Sequence, residues 1–329
     1  MAPHQERTGQ LVDETPRPVH DEQRPALVPA PRIPPEPVLR DAGGDQPLAG
    51  RTVVVTGASA GIGAEAVRQL ATLGARIIAL GRSPSKTAAV AAETGATPVV
   101  ADFARLSDVR DAAAEVAALC PRIDVLVNNA GGLFPHRVVT EDGNELTFQV
   151  NHLAPFLLTS LLLPRLRETP GSRVIVTSSF MNLEGRIDLT GLETDPGCVD
   201  RRYRPFVAYS TSKLANILFV KELARRGYPD GPTATAVHPG VVLSSFGRDS
   251  WFVRTFYRRP LKVFGARSSA SGAMPLVDLA TRTNPQALNG TFRMRFHQGD
   301  RLFTARQAND PGLARGLWDY SLERVGLPG

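Results

Sequence analysis

The segment TVVVTGASAGIG, Thr52–Gly63, limits the possible folds more than any other stretch. A short β-favouring run enters a loop containing Gly57, Gly61 and Gly63, and a helical pattern follows to about Leu73. Glycines allow a tight turn and let a ligand approach the backbone closely. The helix that follows offers unpaired N–H groups and the positive end of its dipole, which together suit an anion. The spacing G-x-x-x-G-x-G differs from G-x-G-x-x-G, but the physics of cradling a pyrophosphate is shared. A Gly-rich turn without a ligand is the competing reading. Position favours the dinucleotide: the loop follows a strand, opens a helix and begins the domain.

Strand-like and helix-like runs alternate from there. RIIAL (76–80), TPVVA (97–101), IDVLVNN (123–129), SRVIVTS (172–178) and TATAVH (233–238) are short apolar runs. Helical patterns separate them, among them Leu106–Leu119, Asn144–Arg167 and 208–226. Apolar strands spaced by helices imply a parallel sheet covered on both faces. The expected fold is α/β, a Rossmann-type doubly wound parallel sheet in three αβα layers, with a small C-terminal substrate-lid region.

The text before Gly50 is different. PALVPAPRIPPEPVLRD is Pro-rich and has no helical or strand period, so residues 1–48 read as a disordered tail and 49–329 as a single domain. Its P-x-x-P pattern suits a partner domain, but a bare low-complexity extension explains it better. Net charge is +6, with −3 in residues 1–50 and +9 in the remainder. That excess is spread out, as on a solvated surface, and forms no concentrated basic motif for nucleic acid. Cys120 and Cys198 provide neither a disulfide framework nor a CxxC metal pair. No metal is expected, and a cytoplasmic setting is the simpler one. The longest apolar run, APFLLTSLLLP, is too short to span a membrane and is bounded by prolines, and the N-terminus lacks the apolar core of a signal peptide.

The end of the second strand tests cofactor choice. An NAD enzyme usually carries Asp or Glu there for the ribose 2′-hydroxyl. Here the text is IIALGRSPSK: Gly81 stands where the acid belongs, and Arg82 follows. Arg82, helped by Ser83 and Lys86, suits a 2′-phosphate, so NADP(H) is preferred and NAD(H) is not excluded. A solvent-facing loop arginine is the alternative.

AYSTSKLANILF, Ala208–Phe219, places Tyr209 and Lys213 four residues apart on one helix face. A cation beside a phenol favours phenolate and makes the pair a tuned proton donor. Taken alone, the spacing is better explained by chance.

Several segments in order resemble the short-chain dehydrogenase/reductase family over about residues 51–245: TGASAGIG, NNAG (128–131), VNHLAPFLLT (150–159), VIVTSS (174–179), YSTSK (209–213) and HPG (238–240). NHLAPFLLTSLLLPRL and YSTSKLANILFVKELARR look like the retinol-dehydrogenase-like branch. The resemblance implies a catalytic set of Asn151, Ser179, Tyr209 and Lys213. Tyr209 would be the general acid or base, and Lys213 would lower its pKa and hold the nicotinamide ribose. Ser179 would bond the substrate oxygen, and Asn151 would hold a water serving Lys213. Ser178 adjoins Ser179, and only one of two neighbours on a strand should face Tyr209. The resemblance also carries cofactor binding onto Gly57, Ser59, Ala60, Gly61, Ile62 and Gly63. Asp102 and Phe103 follow after the third strand, with a strand-end cap as the alternative for Asp102. Asn128, Asn129, Ala130 and Gly131 would line the adenosine side. Pro239, Gly240, Val241, Val242 and Ser244 would lie over the nicotinamide. Ala60 departs from the basic residue of many NADP-dependent members, leaving Arg82 as the main phosphate anchor.

Two regions are candidates for the substrate pocket: the insert at about 180–207 and the segment at about 244–266. The latter carries Trp251, Phe252, Phe256 and Tyr257 among Arg254, Arg258, Arg259 and Lys262. It reads as a lid, with weak contact to a membrane surface in reach, or as a core or oligomer contact. The expected function is an NADP(H)-dependent oxidoreductase interconverting an alcohol and a ketone or aldehyde on a lipophilic or polycyclic substrate. A non-catalytic NADP-binding regulator or scaffold is the alternative. The resemblance further implies a homodimer or homotetramer paired through helices 144–167 and 208–226.

Overall fold

The computed structural model describes residues 46–190, 203–227, 229–242, 267–300 and 302–329. Strands β1 (Thr52–Thr56), β2 (Arg76–Gly81), β3 (Thr97–Val100), β4 (Val125–Asn128), β5 (Arg173–Thr177), β6 (Thr233–His238), β7 (Thr291–Met294) and β8 (His297–Gln298) form one sheet in the order β3-β2-β1-β4-β5-β6-β7-β8. The first seven strands pair in parallel, and β8 alone is antiparallel. The order reverses between β1 and β4, and the crevice beyond the strand ends at such a switch is where ligands bind in doubly wound sheets.

The central strands β1 and β4 are buried along their whole length because both faces are covered. Val54 and Leu126 point into a core shared with helices α3 (Leu106–Leu119), α4 (Leu146–Arg167), α5 (Pro205–Gly227) and α7 (Pro311–Arg324). Val53, Val55, Val125 and Val127 point into the opposite core with α1 (Gly61–Thr72), α2 (Pro84–Thr94) and α6 (Ser269–Thr281). The expected three layers are present.

Local chemistry explains the helix ends. Helix α2 starts with Pro84 in its first turn and ends at Gly95, whose φ of 72° is left-handed. Helix α4 starts at Leu146 rather than Asn144, because the Glu145 carboxylate accepts from the N–H groups of Thr147 and Phe148 at 2.8 Å. Helix α5 begins at Pro205, three residues before the expected start. By length and composition α4 is apolar enough to cross a membrane, but most of it is buried as a core helix.

Leu48 falls inside the expected tail, yet it is buried, and its N–H bonds the Leu73 carbonyl at 3.0 Å. An apolar side chain and a backbone bond tie down this last turn before β1. Residues 1–45 of the expected tail, residues 191–202 of the insert, and the segment 244–266 with Ser244 lie outside the described residues. The face shared by α4 and α5 carries α7: Trp318 meets Phe156 at 5.0 Å and Phe219 at 5.9 Å between ring centroids.

Candidate active site

The glycine loop has the geometry its composition implies. Gly57 and Gly61 adopt φ of 68° and 59°, values that other residues rarely take. A Cβ at Gly63 would stand 2.2 Å from the Gly57 carbonyl, so no side chain fits there. Ala60 is the exposed N-cap of α1 and contributes no side-chain cap, and the first turn holds no acid. The helix end is open to an external anion. Ile62 packs toward α6, where a Cβ on Gly272 would meet it at 3.1 Å, so only its backbone faces the loop.

Gly81 lacks an acid for a steric reason. A Cβ there would lie 2.4 Å from Thr87 Oγ1 and 3.0 Å from Ser59 Cβ. Thr87 Oγ1 is itself fixed on the Ser83 carbonyl at 2.7 Å. Arg82 is exposed beside Gly81 and forms no ion pair among the described residues, and Lys86 is exposed too. Asp102 does act as a turn cap, its Oδ1 accepting from Ala104 N–H at 3.0 Å. The Phe103 ring is buried in the core, where an aromatic side chain is most stable, so the residue offers a cofactor only its backbone.

The two asparagines after β4 part company. Asn128 is buried, and its Nδ2 donates to Thr159 Oγ1 at 2.8 Å inside the core, away from the expected adenosine contact. Asn129 is half-buried at the strand ends, donating Nδ2 to the Thr56 carbonyl at 3.1 Å. Thr56 Oγ1 accepts from the N–H groups of Asn129 and Ala130 at 3.0 and 2.9 Å. A Cβ on Gly57 would collide with Ala130 Cα at 2.9 Å, so glycine at this position lets the two loops approach.

Of the four expected catalytic residues, Asn151 and Lys213 border Gly131, and Tyr209 stands beside Lys213. A Cβ on Gly131 would lie 2.9 Å from Asn151 Oδ1 and 3.4 Å from Lys213 Nζ. Lys213 is buried, donates to the Thr177 carbonyl at 3.1 Å, and stands 5.4 Å from the centre of the Tyr209 ring. Burial pushes its ammonium down to about 8. Asn151 sits in a π-helical turn, Gln149–Leu153. Its Oδ1 accepts from Gly132 N–H at 2.7 Å, and its Nδ2 donates to Gly132 O and Ser212 Oγ, each at 2.9 Å. Asn151 therefore clamps the loop after β4, a task that the sequence reading did not assign to it.

Ser178 and Ser179 separate by geometry. Ser178 Oγ donates to the Lys213 carbonyl at 2.7 Å and is buried against α5. Ser179 Oγ accepts from Met181 N–H at 3.2 Å, which leaves its own hydrogen to donate.

At the far side, Gly240 adopts φ of 98°, and a Cβ there would meet Arg295 Nη1 at 2.9 Å. Arg295 Nη1 bonds the buried Pro239's carbonyl at 2.9 Å, and Arg267 N–H bonds the Val241 carbonyl at 2.9 Å. Val242 packs where a Cβ on Gly272 would reach its Cγ2 at 2.6 Å. Arg295 holds φ of 57°, left-handed for a non-glycine residue, so the loop after β6 is braced by a strained residue. No pattern in the text marks Arg295, since arginine is not a turn residue.

A nicotinamide dinucleotide fits this end of the sheet. Gly57, Gly61 and Gly63 leave room for a pyrophosphate at an uncapped helix end, and Gly131 keeps side chains out of the space between Asn151 and Lys213.

Comparison with known proteins agrees. The short chain dehydrogenase family matches residues 51–190. The chain is 41% identical over 287 residues to a Streptomyces sp. (strain C5) protein assigned as a daunorubicin C-13 ketoreductase, covering 85% of this chain and 94% of that one. It is 37% identical over 287 residues to retinol dehydrogenase 12 of Mus musculus, covering 85% and 88%. A crystal structure of an uncharacterised Mycobacterium paratuberculosis protein matches with a TM-score of 0.63 and 34% identity, over 87% of this chain and 97% of that one. A Burkholderia cenocepacia short chain dehydrogenase in complex with NADP matches with a TM-score of 0.61 and 26% identity, over 80% and 100%. The chain belongs to the short-chain dehydrogenase/reductase family, in its retinol-dehydrogenase-like branch, and is an NAD(P)-dependent oxidoreductase acting on CH–OH groups.

Proposed function

We propose that the protein interconverts an alcohol and a ketone or aldehyde on a lipophilic or polycyclic substrate, with NADP(H) as the preferred cofactor. The observation that carries this is that Lys213 Nζ and Asn151 Oδ1 both border Gly131, with the Tyr209 ring beside the lysine. The nicotinamide, when bound, supplies or accepts the hydride at the carbonyl carbon. The Tyr209 hydroxyl gives its proton to the substrate oxygen in reduction and takes one back in oxidation. Lys213, held on the Thr177 carbonyl, favours the phenolate that this leaves behind. The Ser179 hydroxyl donates to the same substrate oxygen as charge develops on it. Arg82 is the residue that would meet a 2′-phosphate, and Gly81 leaves no room for the carboxylate that would select NAD(H).

The substrate class is supported by the names of two relatives, a daunorubicin ketoreductase and a retinol dehydrogenase. The test is NADPH and NADH oxidation by the purified chain against a panel of hydrophobic ketones and aldehydes, with Tyr209→Phe alongside. Turnover favouring NADPH that drops by about 10²-fold or more in the variant supports the reading. Turnover favouring NADH removes the Arg82 argument. Tight NADPH binding without turnover across the panel counts against the catalytic reading.

A further inference from the structure

A second polar chain runs behind the Tyr–Lys pair. It starts at His152, next to Asn151 in the same π-helical turn. Such a turn carries an extra residue and is often found at functional sites. Here it lets consecutive side chains face different tasks: Asn151 reaches Gly132, whereas His152 turns into the core. His152 is about 1% exposed and is ringed by Phe148, Phe156 and Phe219 at 5.0, 6.2 and 6.2 Å. Burial pushes its imidazole down to about 4, so it is neutral.

A neutral imidazole among phenylalanines is costly unless its nitrogens are bonded. Nδ1 lies 3.4 Å from Asn216 Oδ1, and Nε2 lies 3.0 Å from Ser321 Oγ on α7. Asn216 Nδ2 in turn donates to the Thr177 carbonyl at 3.2 Å. That carbonyl is the one that Lys213 Nζ holds at 3.1 Å. Asn216 spends its N–H on Thr177 and so shows oxygen to the ring, which sets Nδ1 as the donor. Ser321 Oγ donates to the Leu317 carbonyl at 2.7 Å and lies 3.0 Å from Nε2. Two donors use both lone pairs of the Thr177 oxygen and stop it from turning. Amide and carbonyl groups do not relay protons, so the chain can hold Lys213 but not feed it.

We propose that His152 is a positioning residue: acting through Asn216 and the Thr177 carbonyl, it fixes the Lys213 ammonium beside Tyr209. The proposal rests on the reading of Lys213 as part of the catalytic set. The plain rival is a core histidine that merely satisfies itself.

The sequence offers a clean test, because the chain has only four lysines, Lys86, Lys213, Lys221 and Lys262. Lysine labelled with 13C and 15N gives four side-chain signals in the full chain, and Lys213→Met identifies the one of interest. His152→Phe suits the aromatic surroundings but carries no donor. His152→Asn returns an amide nitrogen to the place of Nδ1. In His152→Phe the Lys213 signal should shift, and its titration midpoint should rise from about 8 toward the ordinary lysine value as the ammonium reaches water. Turnover should fall about tenfold with little change in substrate KM, and His152→Asn should restore both. Two results overturn the proposal: an unchanged Lys213 signal and midpoint in His152→Phe, with only Tm lowered, or a folded His152→Asn that fails to restore them. The lysine spectrum needs no turnover, so a wild-type chain that binds NADPH without reacting sinks the catalytic reading separately.

Discussion

Ser178 Oγ donates to the Lys213 backbone carbonyl at 2.7 Å, so one of two adjacent serines is spent on joining β5 to α5. In the proposed function Ser179 is the serine that donates to the substrate oxygen. Ser179→Ala should lower kcat by about 10²–10³-fold, as for removal of an oxyanion donor. Ser178→Ala should cost about 1 kcal/mol in urea unfolding and leave kcat within a few fold. If Ser178→Ala were instead the inactive variant, the assignment would be reversed.

Lys213 is buried and its ammonium is pushed down to about 8, so below that pH the folded state carries a charge it disfavours. The sign follows from proton counts. Between about pH 8 and 10.5 the unfolded chain binds more protons than the folded one, so stability rises with pH across that window. Lys213→Met should therefore abolish turnover and raise stability, by roughly 1–3 kcal/mol at neutral pH. The gain should shrink as pH climbs from about 8 to 10.5. Urea unfolding of both proteins across that range checks it, and a variant less stable at pH 7 would contradict it.

Arg82→Ala should weaken NADPH binding about tenfold to a hundredfold and leave NADH nearly untouched, because only one of the two carries the phosphate. Gly81→Asp should not convert the protein to NADH. The new Cβ would need the space of Thr87 Oγ1, at 2.4 Å, and would break its bond to Ser83. Fluorescence titrations with both nucleotides, read beside Tm, separate these outcomes.

Gly63→Ala should abolish cofactor binding and lower Tm, because the added methyl would stand 2.2 Å from the Gly57 backbone carbonyl, which cannot yield as a flexible side chain can. Overpacking of this kind costs about 1–3 kcal/mol. A variant that binds NADPH normally would show that the loop has slack which its geometry denies.

Much of this protein was legible from residue order. Apolar strands that need cover on both faces dictate a parallel sheet, and a glycine loop between β1 and α1 dictates an anion site, because both are local consequences of backbone sterics and burial. Tyr209 and Lys213 share a face by helical period alone. Tertiary structure decided what depends on partners distant in sequence. Asn128 and Asn129 are indistinguishable as text, but Thr159 takes the first and Thr56 the second. Phe103 stands beside Asp102, yet its ring is drawn into the core. Arg295 braces Pro239 and His152 supports Asn216 across 56 and 64 residues of sequence, respectively. Hydrogen bonds between segments so far apart leave no periodic trace, since each needs only one suitable atom at the right point in space.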